Sequence, residues 1–426
     1  MGLANVPLNM QGKQSKNIIK AVPRIRPVAA VATGLCMLWI ASAQPIIGAP
    51  ATQLEERTVT NQAAAEKIHT TSDGAVRYRV ETVATGLEIP WAMAFAPDGR
   101  LFVTERPGRL RVIENGALRT EPLAVFPEAA STKETGLMGL TLHPNFSQNR
   151  LLYVAYAYRR RGLHVRVERF RETGAALMER KIIIDNLPAS NYHAGCRIRF
   201  GPDGKLYITT GEATEGVYAQ RLDSLHGKTL RLNDDGSIPG DNPFTQIAGA
   251  RAEIFSFGHR NAQGLDWQPG SNLQFQTEHG PTSILDGIDF AFGNHGGDEI
   301  NIVESGANYG WPLIHHQRRR SFMRTPLLEY TPAVAPAGCT FYRGVAFPAF
   351  RNNFFFANLR GQSLIRVVLE GRRVVHQERL LQKEYGRLRD VAVSLDGALY
   401  VATSNRDQRG KPGPDDDRIL RLIPAP

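Results

Sequence analysis

From Tyr78 to the end of the chain, short stretches of alternating apolar and polar residues follow turn-forming residues again and again. Pro97-Asp98-Gly99-Arg100 precedes Leu101-Phe102-Val103-Thr104-Glu105, and Pro202-Asp203-Gly204-Lys205 precedes Leu206-Tyr207-Ile208-Thr209-Thr210. Leu395-Asp396-Gly397-Ala398 precedes Leu399-Tyr400-Val401-Ala402. Weaker copies start at Gln148, Pro269 and Arg351. Asp-Gly and Asn-containing pairs supply the positive backbone dihedrals that hairpins need. The β-branched and aromatic residues that follow, alternating with period two, read as half-buried strands. The copies begin roughly 44 to 82 residues apart, a supersecondary period in the range of propeller blades. They predict an all-β fold, a six-bladed β-propeller of four-stranded antiparallel blades around a central channel. The longer intervals call for insertions near residues 282–297 and 312–330. No amphipathic helix of three turns is evident, and a pair of β-sandwiches is the alternative architecture. A propeller gathers its chemistry where loops from different blades meet at one end of the channel, so functional residues should be scattered loop residues.

Composition narrows the picture. A hydrophobic fraction of 42% and a charged fraction of 22% exclude a disordered chain. Three cysteines exclude a disulfide scaffold. Half of the net charge of +10 sits in the first 43 residues, which hold Lys13, Lys16, Lys20, Arg24 and Arg26 and no acid. The remainder carries no dense basic stripe, so nucleic acid is not an expected partner. Behind those bases, Val28 to Ile40 is apolar or small and closes on Ala41-Ser42-Ala43. That is the pattern of a cleaved secretory signal, and the run is short for a membrane span. The expected organisation is a signal peptide at 1–43, a polar tether at 44–75 and the propeller at 76–426. The mature protein would be periplasmic or secreted, with no stable membrane insertion after cleavage.

The residues with chemistry to offer fall in the expected loops. They are Glu134 in Lys133-Glu134-Thr135-Gly136; His193 in Asn191-Tyr192-His193-Ala194-Gly195; Gly211-Glu212; and His259-Arg260-Asn261. Then come Glu278-His279-Gly280-Pro281, Asp298-Glu299, Asn308-Tyr309-Gly310, Asn358-Leu359-Arg360 and Arg387-Leu388-Arg389. In this order and spacing the set resembles the soluble quinoprotein sugar dehydrogenases, the family of PQQ-dependent glucose and aldose dehydrogenases. The resemblance runs from about residue 80 to the C-terminus.

It implies oxidation of the anomeric hydroxyl of an aldose sugar to a lactone, with pyrroloquinoline quinone (PQQ) as hydride acceptor and an external electron acceptor to reoxidise it. His193 matches the family's general base, a task suited to an imidazole near neutral pH. Glu212 matches the carboxylate that partners it, where the family more often has aspartate, and Arg260 matches a catalytic and cofactor-holding arginine. Asn261, Arg360, Arg387 and Arg389 match further cofactor-binding positions, and guanidinium groups suit a planar tricarboxylate. The family's calcium that polarises the quinone is held by main-chain oxygens matching Gly280 and Pro281, a ligand type calcium tolerates. A second calcium corresponds to Glu299 and the main-chain oxygen of Tyr309. Glu134 matches the residue turned toward the sugar.

Three departures qualify the match. Thr282 to Gly297 is longer than in the shortest members and carries Asp286, Asp289 and His295. Tyr330-Thr331-Pro332-Ala333 has no tryptophan where glucose-specific members stack one, which favours broader aldose use. Cys196 and Cys339 stand in loops expected at one channel mouth, and both a bond and two free thiols are open. The other function classes are a calcium-dependent lactonase-like hydrolase, which has no use for several arginines on one ligand, and a non-catalytic secreted binding propeller, which predicts erosion of His193 or the arginines.

Overall fold

In the computed structural model, which describes residues 67–281 and 296–426, each of the six turns joins the first and second strands of an antiparallel sheet. The first strands are Pro90–Phe95, Leu137–Leu142, Ile198–Phe200, Ala262–Trp267, Pro336–Phe341 and Leu388–Val393. Each packs against the first strands of the two neighbouring sheets, which closes a ring of six blades around a channel. Four blades have four strands in sequence order, and the first and last have five. This is the expected propeller, and the paired β-sandwiches are set aside. Signal, most of the tether and the 282–295 part of the insertion, with Asp286, Asp289 and His295, lie outside the described residues. Among the described residues no helix is long and apolar enough to cross a membrane.

The alternation in sequence decides how blades stack. In Phe354-Phe355-Phe356, the outer two rings join a cluster with Phe275, Ile300 and Phe341 of the fourth and fifth blades. Phe355, one residue out of phase, joins Leu388, Val391 and Leu399 of the last blade. One strand thus feeds both neighbouring interfaces, because successive side chains point to opposite faces of the sheet. Full burial of each phenylalanine contributes on the order of 1.5–3 kcal/mol.

The ring is closed by chain ends. Arg77–Ala84 is the outer partner of the C-terminal strand Ile419–Pro424, with Tyr78 opposite Pro424 and Thr82 opposite Leu420. His69–Thr70 pairs in turn with Arg77 and Tyr78, so β-pairing begins inside the stretch read as a tether. The intervening turn is fixed by Asp73, which accepts from the Ala75 amide and from Arg366. A two-residue strand is too short to leave a periodic signal.

Antiparallel pairing also separates the two rims of the channel. First strands begin where second strands end, as in Pro90 opposite Glu105, Ala262 opposite Glu278 and Leu388 opposite Thr403. The repeated turns therefore all lie on one rim. Segments that precede a first strand or follow a second strand lie on the other.

Candidate active site

His193, Arg260 and Arg387 precede first strands, Glu212 and Gly280 follow second strands, and Arg389 lies in the first turn-distal pairs of the last blade's inner strand. The topology thus assigns them to the same rim. At its centre a small recess is lined by Arg106, Glu134, Gln263, His279, Arg389 and Asp407, among others. A larger hollow, with about 1300 Å³ of open space, lies toward the turn rim, between Phe95, Leu142, Gly344 and Leu395. It contains none of the catalytic or metal candidates.

The Nδ1 atom of His193 hydrogen-bonds Glu212, which also accepts from the Thr214 amide at 3.2 Å. Glutamate therefore reaches the imidazole directly. The local backbone makes this contact: His193 has a φ of 56°, and the Ala213 amide donates to its carbonyl at 3.0 Å. A Cβ on Gly211 would stand 1.8 Å from that carbonyl oxygen, so only glycine allows the two loops to cross. Engagement of Nδ1 leaves Nε2 as the ring nitrogen available to a ligand. Glu134 accepts from the His193 amide at 3.2 Å and from Arg409 at 2.8 Å. Burial works against its charge, but His193 and Arg409 more than offset this and hold the carboxyl at about 2.

A hydrogen-bonded chain crosses from the third blade to the last. Asn261 accepts from the Gly195 amide and from Gln263, and Gln263 accepts from Arg389 at 3.0 Å. Arg387 is paired with Asp407 through Nε and Nη2, both at 2.8 Å. Arg260 donates to the His279 carbonyl and lies 5.3 Å over the ring of Trp311. Arg389 stacks 5.6 Å over Trp91. Burial pushes its guanidinium down to about 9; Asp407 opposes the shift, while Arg106 and Arg387 add to it.

Several buried donors here lack acceptors: Nε of Arg106 and Arg389, Nδ2 of Asn261 and Nε1 of Trp311. A buried polar group without a partner is costly, and this set is donor-rich. An anionic ligand crowded with acceptor oxygens, such as a tricarboxylate quinone, fits it.

The metal candidates form a second cluster. Asp298 caps three amides, those of Gly280 at 2.8 Å and of Val334 and Ala335 at 2.7 Å. It holds the Gly280-Pro281 turn in place, and a Cβ on Gly280 would stand 2.0 Å from the Gly297 carbonyl oxygen. Glu299 shares Asn301 with Glu278, and Asn301 Oδ1 is buried with no partner. Burial and the neighbouring Glu278 charge push the Glu299 carboxyl well above its ordinary range. Crowded carboxylates beside an orphan amide oxygen fit an oxygen-ligated cation. Tyr309 is stacked at 4.6 Å on His259, which is bonded to Glu278 at 2.9 Å.

Two further sequence readings concern Arg360 and the cysteine pair. Arg360 is exposed on its loop, and no hydrogen bond or ion pair joins its side chain to the cluster among the described residues. Cys196 and Cys339 are both free and buried, in separate apolar clusters. Sequence reasoning gave no role to Arg106, Gln263, His279 or Asp407. The available signal was positional: Arg106, Glu212, His279, Arg360 and Asp407 each stand within a few residues after the second strand of a blade.

The sequence profile of the glucose/sorbosone dehydrogenase family matches residues 87–411. The aldose sugar dehydrogenase YliI of Escherichia coli is 33% identical over 344 residues, covering 76% of this chain and 89% of that protein. Among solved structures, a putative oxidoreductase (glucose dehydrogenase) of Thermus thermophilus is 43% identical. It superposes with a TM-score of 0.74 over 81% of this chain and 100% of that one. The PQQ-bound aldose sugar dehydrogenase of Streptomyces coelicolor is 31% identical, with a TM-score of 0.70 over 81% of this chain and 98% of that one.

Proposed function

The chain belongs to the glucose/sorbosone dehydrogenase family, and we propose that it is a PQQ- and calcium-dependent aldose sugar dehydrogenase acting in the periplasm or outside the cell. It oxidises the anomeric hydroxyl of aldoses to lactones and passes the electrons to an external acceptor. The observation that carries this reading is the His193–Glu212 pair beside a recess whose buried donors have no acceptors.

His193 takes the proton of the anomeric hydroxyl at Nε2. Glu212, on the opposite ring nitrogen, fixes the tautomer and stabilises the imidazolium that results. When bound, the quinone supplies a hydride acceptor for the anomeric carbon, made more electrophilic by calcium. Arg260, Asn261, Arg387 and Arg389 hold it. Gly280 and Pro281 offer main-chain oxygens to the calcium, and Glu299 with Tyr309 holds a structural ion. Arg360, exposed on its loop, would offer a further guanidinium to the cofactor. Glu134, held ionised by Arg409 and the His193 amide, accepts hydrogen bonds from sugar hydroxyls. The absence of tryptophan from the Tyr330–Ala333 segment favours a broad aldose range. Residues 1–43 are removed on export, and the polar stretch that follows carries the folded domain.

A dye-reduction assay with several aldoses, on protein incubated with calcium and PQQ and on untreated protein, tests the reading. Cofactor-dependent reduction is expected; none on any sugar would return the chain to the class of binding propellers. The His193→Ala variant should keep quinone binding and lose about 10²- to 10⁴-fold in turnover. A near-normal rate would remove the base assignment.

A further inference from the structure

Arg106 follows the second strand of the first blade, Leu101–Glu105, and its side chain lines the recess. It is 3% exposed, and its Nε has no partner. Among the described residues no hydrogen bond or ion pair reaches its guanidinium. Four other buried arginines are treated differently. Arg231 pairs with Asp203 and Asp241, Arg366 with Asp73 and Glu378, Arg197 with Asp390, and Arg387 with Asp407. Arg389 resembles Arg106 in this: Gln263 accepts from it, but no carboxylate lies within ion-pair distance among the described residues.

The acids nearest the pair are engaged elsewhere, Asp407 with Arg387 and Glu134 with Arg409. The backbone of Arg106 is pinned as well. Its amide donates to Ile89 and its carbonyl accepts from Leu137, while Gly136 crosses so closely that a Cβ there would stand 2.2 Å from the same oxygen. Two guanidinium groups are thus buried at one recess with no carboxylate paired to either among the described residues, an arrangement that folding alone disfavours. Burial lowers the proton affinity of both guanidinium groups; Asp407 and Glu134 oppose the shift in each, and neighbouring arginines add to it.

We propose that Arg106 and Arg389 form a two-guanidinium seat for one carboxylate of the bound quinone, which makes Arg106 a further cofactor-holding residue. The inference rests on the quinone reading above. It also separates the arginines by task. Arg387 meets the ligand with its charge already paired to Asp407, whereas no carboxylate is paired with Arg106 or Arg389 before the ligand arrives.

The test uses the full chain purified without quinone. PQQ affinity is measured by calorimetry in calcium buffer, and thermal midpoints are measured before and after loading. Arg106→Gln should raise the Kd by about ten- to a hundredfold, since a charge-assisted contact is lost. The same change should leave the midpoint of the unloaded protein equal or higher, because an unpaired buried charge has gone. Arg106→Lys should fall between. Arg387→Gln should do the opposite to the unloaded protein and lower its midpoint, because Asp407 is left alone. Wild-type uptake with unchanged affinity in R106Q would overturn this proposal and leave the quinone reading standing. So would a lowered midpoint in unloaded R106Q, which would mean that Arg106 supports the fold. Failure of the wild-type chain to take up PQQ would remove both.

Discussion

At the scale of single residues, Glu212 shows how a longer side chain can do the work of a shorter one when the backbone adjusts. Its loop and that of His193 cross at Gly211, and the carboxylate arrives at Nδ1 while also accepting the Thr214 amide. Glu212→Gln keeps the shape and removes the charge that favours a protonated imidazole. Turnover should fall about tenfold or more with quinone affinity unchanged, as steady-state rates and calorimetry can establish. Glu134 makes a prediction about pH. Its folded value of about 2 lies below the ordinary 4.5, so the stability it contributes is complete above the ordinary value. That stability is lost as pH falls toward 2. Denaturant unfolding should therefore show wild type more stable than Glu134→Gln at pH 6, with the gap closing on acidification. The His193–Glu212 pair was expected through the family resemblance, but the Glu134–Arg409 contact was not legible, because hydrogen-bond partners at a propeller rim come from distant segments. Arg106 looked like any charged residue after a strand, and only its burial without a partner marks it.

Among elements, the loop from Glu212 to Gly227 has no regular structure beyond the short 3₁₀ turn Gly216–Gln220. It is held from beneath by Lys228, whose fully buried ammonium donates to the carbonyls of Tyr218 at 3.1 Å and Ala219 at 2.9 Å, and to that of His226. Lys228→Met removes the donor and strands those carbonyls. Urea unfolding should register a loss of about 2–4 kcal/mol. The six turn-and-strand units were readable because each is local: an Asp-Gly or Asn pair and a period-two run lie within ten or so residues of one another. The stretched interval places an insertion near residues 312–330, and the structure has it between the strands that end at Val303 and begin at Leu328. What the spacing could not convey is the task of Asp298. Next to Glu299 it resembles half of an acidic pair, yet both its oxygens are taken by the amides of Gly280, Val334 and Ala335. A carboxylate's neighbours in sequence do not reveal which amides converge on it.

For the whole molecule, the decisive contact is the one between chain ends. Arg77–Ala84 fills the outer position of the last blade, where it covers the edge of Ile419–Pro424. Removal of residues 67–84 exposes that edge and breaks the ring, so cooperative thermal unfolding should be lost, as calorimetry would show, and association through the bare edge should appear. The number of blades was legible, since repeats count themselves; the splice between first and last strands was not, because no local pattern announces a pairing across more than three hundred residues. That splice also sets the order of events in synthesis. Arg106 is translated long before Arg389 and Asp407, and the three meet only once the last blade has packed against the first. A polypeptide that stops short of the last blade accordingly lacks Arg389 and Asp407, and a ligand seated in the recess would report that the ring had closed.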